Sequence, residues 1–340
     1  MATTTGKTFY EEPTADSMFS KTAVNLRSAA SLLCAVSYSV SSAFAAEFMA
    51  LSSQAGMPGL QLIFLAKLVQ FLFCLIVLPC FRPKMTAEDT PQVMFLFLLA
   101  VVDNMATILA FMSFVYVVPG IAFGIIQGSV PLFTACIGFV FLRETVGVMD
   151  FCGILCSAVG VIIVAVGMRM GTASSTQWLT VAILLPLAAA FTKGPDNVII
   201  RLLIGLQDMS ILTVMTYTQL LGTVLLLVLT YIFETPRWTM STRTMGYVIG
   251  LCLCDLYSSL SVKLVFKMEK AGVTATLLSL TIPFTILLDY IFQSKFPGPV
   301  ILAGVSLVVL GIAVTGGHTW WVHRQEMRHR ELMEKLYLDG

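Results

Sequence analysis

Residues 119–142 read PGIAFGIIQGSVPLFTACIGFVFL, without one charged side chain. A bilayer core of about 30 Å is crossed by roughly 20 apolar residues in a helix, so this stretch is long enough to span. Pro119-Gly120 opens it as a turn signal, and Pro131 sits in its interior. The pattern returns 152 residues later: Gly120 recurs as Gly272 and Pro131 as Pro283. The same offset carries Asp103 to Asp255 and Arg143 to Lys295. Shared offsets inside long hydrophobic segments point to a repeated membrane unit.

Composition agrees. The chain is 57% hydrophobic and 11% charged, with a mean hydropathy of +0.90. A soluble domain carries about 25% charged residues, so this chain lacks the polar surface to face water. A net charge of +1 gives no reason to expect a nucleic-acid partner. Residues 1–27 contain six charged side chains and no apolar core of a signal peptide, so the first span is expected to act as an uncleaved anchor. Seven of the eight cysteines fall within apolar segments and read as small core residues. No metal or other cofactor is expected, because all three histidines lie at or beyond residue 318, far from Cys252-x-Cys254.

Apolar runs and turn signals place ten spans, at about 28–50, 59–80, 93–114, 119–142, 148–168, 177–200, 207–232, 245–266, 271–293 and 298–317. Of the 20 Lys and Arg, thirteen fall on the side of the termini, and only Arg169, Arg237, Arg243 and Lys295 fall opposite. Lys67, Lys193 and Lys263 lie inside spans. This bias assigns both termini to the cytoplasm. Five spans per half then force the halves into opposite orientations. The expectation is an all-α polytopic membrane protein, ten transmembrane helices as two inverted five-helix repeats. Residues 1–27 form a tail, 28–168 the first repeat, 177–317 the second, and 318–340 a basic amphipathic helix on the cytoplasmic leaflet.

The residues that carry a family likeness run from Phe114 to Gly167, FVYVVPGIAFGIIQGSVPLFTACIGFVFLRETVGVMDFCGILCSAVGVIIVAVG. A small-residue start, a mid-helix Ser-x-Pro, a Phe-Leu-x-Glu exit and a Gly-spaced final helix resemble EamA-type proteins of the drug/metabolite transporter superfamily. Lys267–Gly316 repeats the pattern, with Phe296 where the Glu would stand. Within the superfamily the chain is most similar to the G branch of solute carrier family 35. That branch tends to carry Arg in span 2, where this chain has Lys67; bidentate anion binding does not transfer to a lysine. The resemblance implies a central cavity between spans 3, 4, 8 and 9.

Candidate site residues follow from the cost of polar groups at membrane depth. Asp103 and Thr107 share one face of span 3; Asp255 and Ser259 share the matching face of span 8. Each Asp is read as a proton carrier, a cation ligand or a bond to a neighbouring helix. A carboxylate in low dielectric holds a proton more readily than in water, which suits coupling. Lys67 offers a fixed positive charge for an anion, a salt bridge with Asp103, or a snorkelling side chain. Gln219 occupies the matching position in span 7, and Gln70 lies one turn beyond Lys67. Gln127 with Pro131, and Ser279 with Pro283, pair a polar side chain with the carbonyl that proline leaves free, as ligand or gating bend. Lys193, Pro195 and Asp196 are expected to break span 6 near its cytoplasmic end, with room for a local ion pair. Asp289 is assigned an interfacial place and Glu47 a solvated one. Gly153, Gly160 and Gly167 in span 5, with Gly304 and Gly311 in span 10, form a seam for packing within the chain or for a homodimer.

No Gly-x4-Gly-Lys-[Ser/Thr] loop is present, which excludes ATP-driven transport by this chain alone. Asp255 lacks the Gly-x-Gly-Asp context of intramembrane aspartyl proteases, and no span contains a histidine base, so no enzyme is expected. The expected function is a secondary active transporter of a small polar metabolite, an organic anion, working by alternating access with proton coupling or exchange. A membrane scaffold or receptor with a transporter fold is the alternative. The solute and the lipid bilayer are the expected partners, in the plasma membrane or that of the Golgi or endoplasmic reticulum.

Overall fold

A computed structural model describes residues 15–85, 89–142, 148–171, 176–268, 278–294 and 297–311, with isolated positions at 274, 313, 314, 317, 318, 321 and 325, and side chains from residue 30 onward. Arg143, Gly272, Lys295, Phe296 and nearly all of the C-terminal tail lie outside the described residues.

Among the described residues all regular structure is helical. α1 covers Ala15–Gln54, α2 Gly59–Phe81, α3 Thr90–Tyr116, α4 Pro119–Leu142, α5 Val148–Gly171, α6 Thr176–Ile200, α7 Ile211–Phe233 and α8 Thr242–Met268. α9 covers Thr281–Gln293 and α10 Pro299–Gly311. Among the described residues, seven stretches are long and apolar enough to cross a membrane: Ala30–Gln54, Gly59–Phe81, Thr90–Tyr116, Pro119–Gly138, Val181–Leu206, Ile211–Phe233 and Thr242–Met268. Phe151–Val164, Thr281–Phe292 and Pro299–Gly311 are shorter apolar helices.

Three boundaries differ from the expectation, each for a local reason. α1 starts at Ala15, inside the expected tail, because no Gly or Pro interrupts residues 14–55. α6 is not broken by Pro195; it holds Pro186 and Pro195 internally and continues into a π turn, Arg201–Leu206. Span 9 carries a turn at residues 279–280, between the helical Leu278 and the helix that runs from Thr281. Pro283 has no N–H to give the Ser279 carbonyl, which accepts instead from the Ile282 N–H at 3.1 Å.

The bundle is built with its polarity inverted relative to a soluble protein. Lys67, Gln70, Asp103, Asn104, Gln127, Asp196 and Lys263 are buried, while Leu72, Ile76, Phe97, Phe191, Leu253 and Ile291 are exposed. In water that distribution would be unstable; against lipid tails it is the favourable one. Helix contacts come in pairs that exchange the two halves: α1 packs on α8 and α6 on α3, α1 on α9 and α6 on α4, α2 on α8 and α7 on α3. α2 against α7 and α4 against α9 map onto themselves. Two loop contacts obey the same exchange. Gln61, at the start of α2, accepts from the Arg237 N–H at 2.8 Å and donates to the Arg237 carbonyl at 2.9 Å. Thr213, 152 residues after Gln61, donates to the Lys84 carbonyl at 2.9 Å at the start of α7.

α5 and α10 meet through the glycine seam. A Cβ on Gly160 would lie 2.7 Å from the Gly304 carbonyl oxygen, and one on Gly311 would lie 2.5 Å from that of Gly153. Only bare backbones approach so closely, and the seam is closed within one chain.

Two acidic side chains depart from their expected settings. Glu47 is fully buried rather than solvated, since α1 lies along α8. Asp289 is buried rather than interfacial, and its Oδ2 accepts from the Gly120 N–H at 2.8 Å. It thereby satisfies one of the donors that every helix start leaves unpaired, which ties α9 to the first turn of α4.

Candidate functional site

A cavity of about 130 Å³ lies where α1, α2, α3, α4, α6 and α8 converge. Its polar lining is unusual for membrane depth: Lys67, Lys193, Lys263, Asp103 and Asp255, with Gln70, Gln127, Thr107, Ser258 and Ser259. Phe111, Phe114, Phe123 and Phe266 supply much of the apolar wall. Phe114 is in ring contact with Phe111 (5.7 Å between centroids) and Phe123 (4.8 Å).

Four of the charges form a ladder. The Lys67 ammonium donates to Asp103 Oδ2 at 3.0 Å, with both side chains buried. Lys193 lies 3.9 Å from Asp103 Oδ1 and 2.5 Å from Asp196 Oδ2. The ladder joins α2, α3 and α6. Each charge then has an opposite neighbour, which a buried charge needs if it is to remain ionised. The expected Lys193–Asp196 pair is thus present, and its lysine lines the cavity.

The remaining charged groups of the lining, Asp255 and Lys263, sit on α8. Asp255 Oδ2 accepts from Gln70 Nε2 at 2.6 Å. Lys263 donates to Ser259 Oγ at 2.9 Å. Among the described residues no carboxylate lies within 4.0 Å of Lys263, and no ammonium within 4.0 Å of Asp255. The two aspartates related by the 152-residue offset are therefore chemically unlike. Asp103 faces lysines and Asp255 faces an amide, because Gln219 stands where the second half would need its own lysine.

The structure brings Lys67, Asp103, Thr107, Gln127, Asp255 and Ser259 together around one space. The Thr107 hydroxyl donates to the Asp103 backbone carbonyl at 2.7 Å, so its proton is committed to its own helix. Gln219 and Ser279 are buried but do not line the cavity. Neither amide atom of Gln219 has a hydrogen-bond partner among the described residues. Pro131 is half-buried in α4, one turn beyond Gln127, whose carbonyl it leaves without a helical donor. Pro283 is exposed.

The sequence reading passed over Lys263 and Ser258. The signal for Lys263 was available: the i, i+4 step from Asp255 to Ser259 reaches Lys263 when repeated.

Among known families, residues 29–166 match the model of the EamA-like transporter family. Residues 29–166 are thus similar to an EamA-like transporter domain. Together with its apolar helices, that makes the protein an integral multi-pass membrane protein. The fold extends past the matched half. A crystal structure of a protein 17% identical to this one superposes with a TM-score of 0.60, covering 90% of this chain and 99% of its own. At that identity the likeness concerns the fold alone.

Proposed function

We propose that this EamA-like protein is a secondary active transporter of a small organic anion, moved by alternating access around the central cavity. The observation that carries the reading is the lining of that cavity: three ammonium groups and two carboxylates enclosed by a bundle whose outer face is apolar. Ionisable side chains at membrane depth mark solute or ion pathways, because their desolvation would otherwise select against them. The mixed lining suits a polar solute and would repel an apolar one.

Ten spans in two inverted repeats complete the reading, with both termini cytoplasmic. The contacts that exchange between halves support it, as do the Gln61–Arg237 and Thr213–Lys84 pairs, related by an offset of 152 on one side and 153 on the other. In such a bundle one half rocks against the other around the fixed site. Asp255 is the coupling candidate, because no ammonium lies within 4.0 Å of it among the described residues. Asp103 is held by lysines and serves to organise the wall. Span 4, with its Ser129-x-Pro131 and Pro119-Gly120 start, supports the EamA-type reading, within which we place the chain nearest the G branch of solute carrier family 35.

The test is uptake of radiolabelled organic acids into proteoliposomes, with and without an imposed pH gradient. Saturable uptake of at least one acid, abolished by heat-unfolding the protein first, is expected. Uptake no faster than in protein-free vesicles for every acid tried would refute the reading.

A further inference from the structure

We infer that Lys263, with the Ser259 hydroxyl, anchors the anionic group of the solute, and that Lys67 does not. The inference rests on the transporter reading above and names the place where its substrate docks. Lys67 carries the more obvious sequence signal, yet its ammonium is already neutralised by Asp103 at 3.0 Å. A solute carboxylate arriving there would have to displace a buried partner that is permanently present. Lys193 is in the same position, held by Asp196 and Asp103.

Lys263 differs in each respect. It lines the cavity and is 3% exposed. It has one hydrogen bond, to Ser259 Oγ, and no carboxylate within 4.0 Å among the described residues. An ammonium has three donors, so further donors remain for a ligand. A buried cation without a counter-charge is unfavourable, and a bound carboxylate would supply one. The Ser259 hydroxyl accepts from Lys263 and is free to donate its own proton to the same carboxylate.

The rest of the cavity fixes the polarity of the ligand. Asp255 stands two helical turns from Lys263 on α8, eight residues or about 12 Å along the axis. Its Oδ2 accepts from Gln70, and it would repel a second anionic group. The aromatic wall of Phe111, Phe114 and Phe123 suits an apolar body. The class is therefore a small organic monoanion with an apolar body, held at its charged end by α8.

Binding of benzoate, and of benzamide as its uncharged counterpart, is measured on the detergent-purified full chain by thermal stabilisation. Wild type is expected to favour benzoate. Lys263→Gln removes one charge-assisted hydrogen bond and should weaken benzoate roughly tenfold or more, leaving benzamide as it was. Lys263→Arg, which keeps the charge, should retain the preference and controls for misfolding. Lys67→Gln, which leaves Asp103 with Lys193, should weaken benzoate less than Lys263→Gln does. If Lys67→Gln loses the preference while Lys263→Gln keeps it, the anchor is Lys67, this inference is overturned, and the anion-transporter reading survives. No preference for benzoate in wild type, together with uptake of other acids, overturns the monoanion class. No response of any kind, with no uptake, overturns both.

Discussion

The ion-pair ladder makes a quantitative prediction. Lys67 and Asp103 are exposed over 4% and 10% of their side chains and lie 3.0 Å apart. Removing one member of a buried pair strands the other charge and costs about 3–5 kcal/mol, whereas replacing both by apolar groups of similar volume is close to neutral or stabilising. Here Lys193, 3.9 Å from Asp103 Oδ1, remains after Lys67 is removed. Lys67→Met should therefore fall at the low end, about 3 kcal/mol. Asp103→Leu strands Lys67 and removes one of the two carboxylates beside Lys193, so it should fall at the upper end, about 5 kcal/mol. The double variant Lys67→Met/Asp103→Leu should recover most of the loss of either single change. Reversible unfolding in mixed micelles, followed by tryptophan fluorescence, gives the four corners of the cycle. Additive losses, with the double variant the least stable of the four, would refute the account of the ladder as a mutually neutralising unit.

Three further outcomes follow from single contacts. Gln219 is fully buried, with neither amide atom hydrogen-bonded among the described residues, so Gln219→Leu should stabilise the fold by about 1–3 kcal/mol; lower stability together with lost uptake would instead mark Gln219 as a ligand. Gly160→Leu drives a side chain into the Gly304 carbonyl and Val308, and the overpacking should cost about 1–3 kcal/mol or more. Gly246→Ala, with nothing within 4 Å of its Cβ, should gain up to about 1 kcal/mol by helix propensity; equal melting temperatures for the two glycine variants would argue against the close α5–α10 seam. Asp289→Ala orphans the Gly120 N–H and should cost about 1–3 kcal/mol, while Asp289→Asn keeps an acceptor and should cost less; equal losses would sink the capping role.

Membrane class and helix positions were legible because the bilayer imposes a length and a composition that local sequence must satisfy. Residues 119–142 appear as α4 with the same ends as expected, since Pro and Gly mark its start and the apolar run carries the helix past Pro131. The site was legible in part. Asp103 and Asp255 announce themselves by rarity, and the i, i+4 rule finds Thr107 and Ser259. Helical spacing could not foretell which of three membrane lysines would meet a carboxylate, because partners on α2, α3 and α6 lie far apart in the chain.

By itself, the sequence determined that this chain spans membranes, that residues such as Asp103 and Pro131 recur at one offset, and that ionisable groups fall within its apolar spans. Hydrophobicity, length and offset are local or additive properties, and they survive any arrangement of the helices. Tertiary packing alone decided that Lys67 and Lys193 are neutralised, that Asp289 caps α4 and that Glu47 is buried. It also decided that Lys263 faces the cavity without a counter-charge among the described residues. Electrostatic partnership falls off over a few ångströms, so it belongs to the way the helices meet.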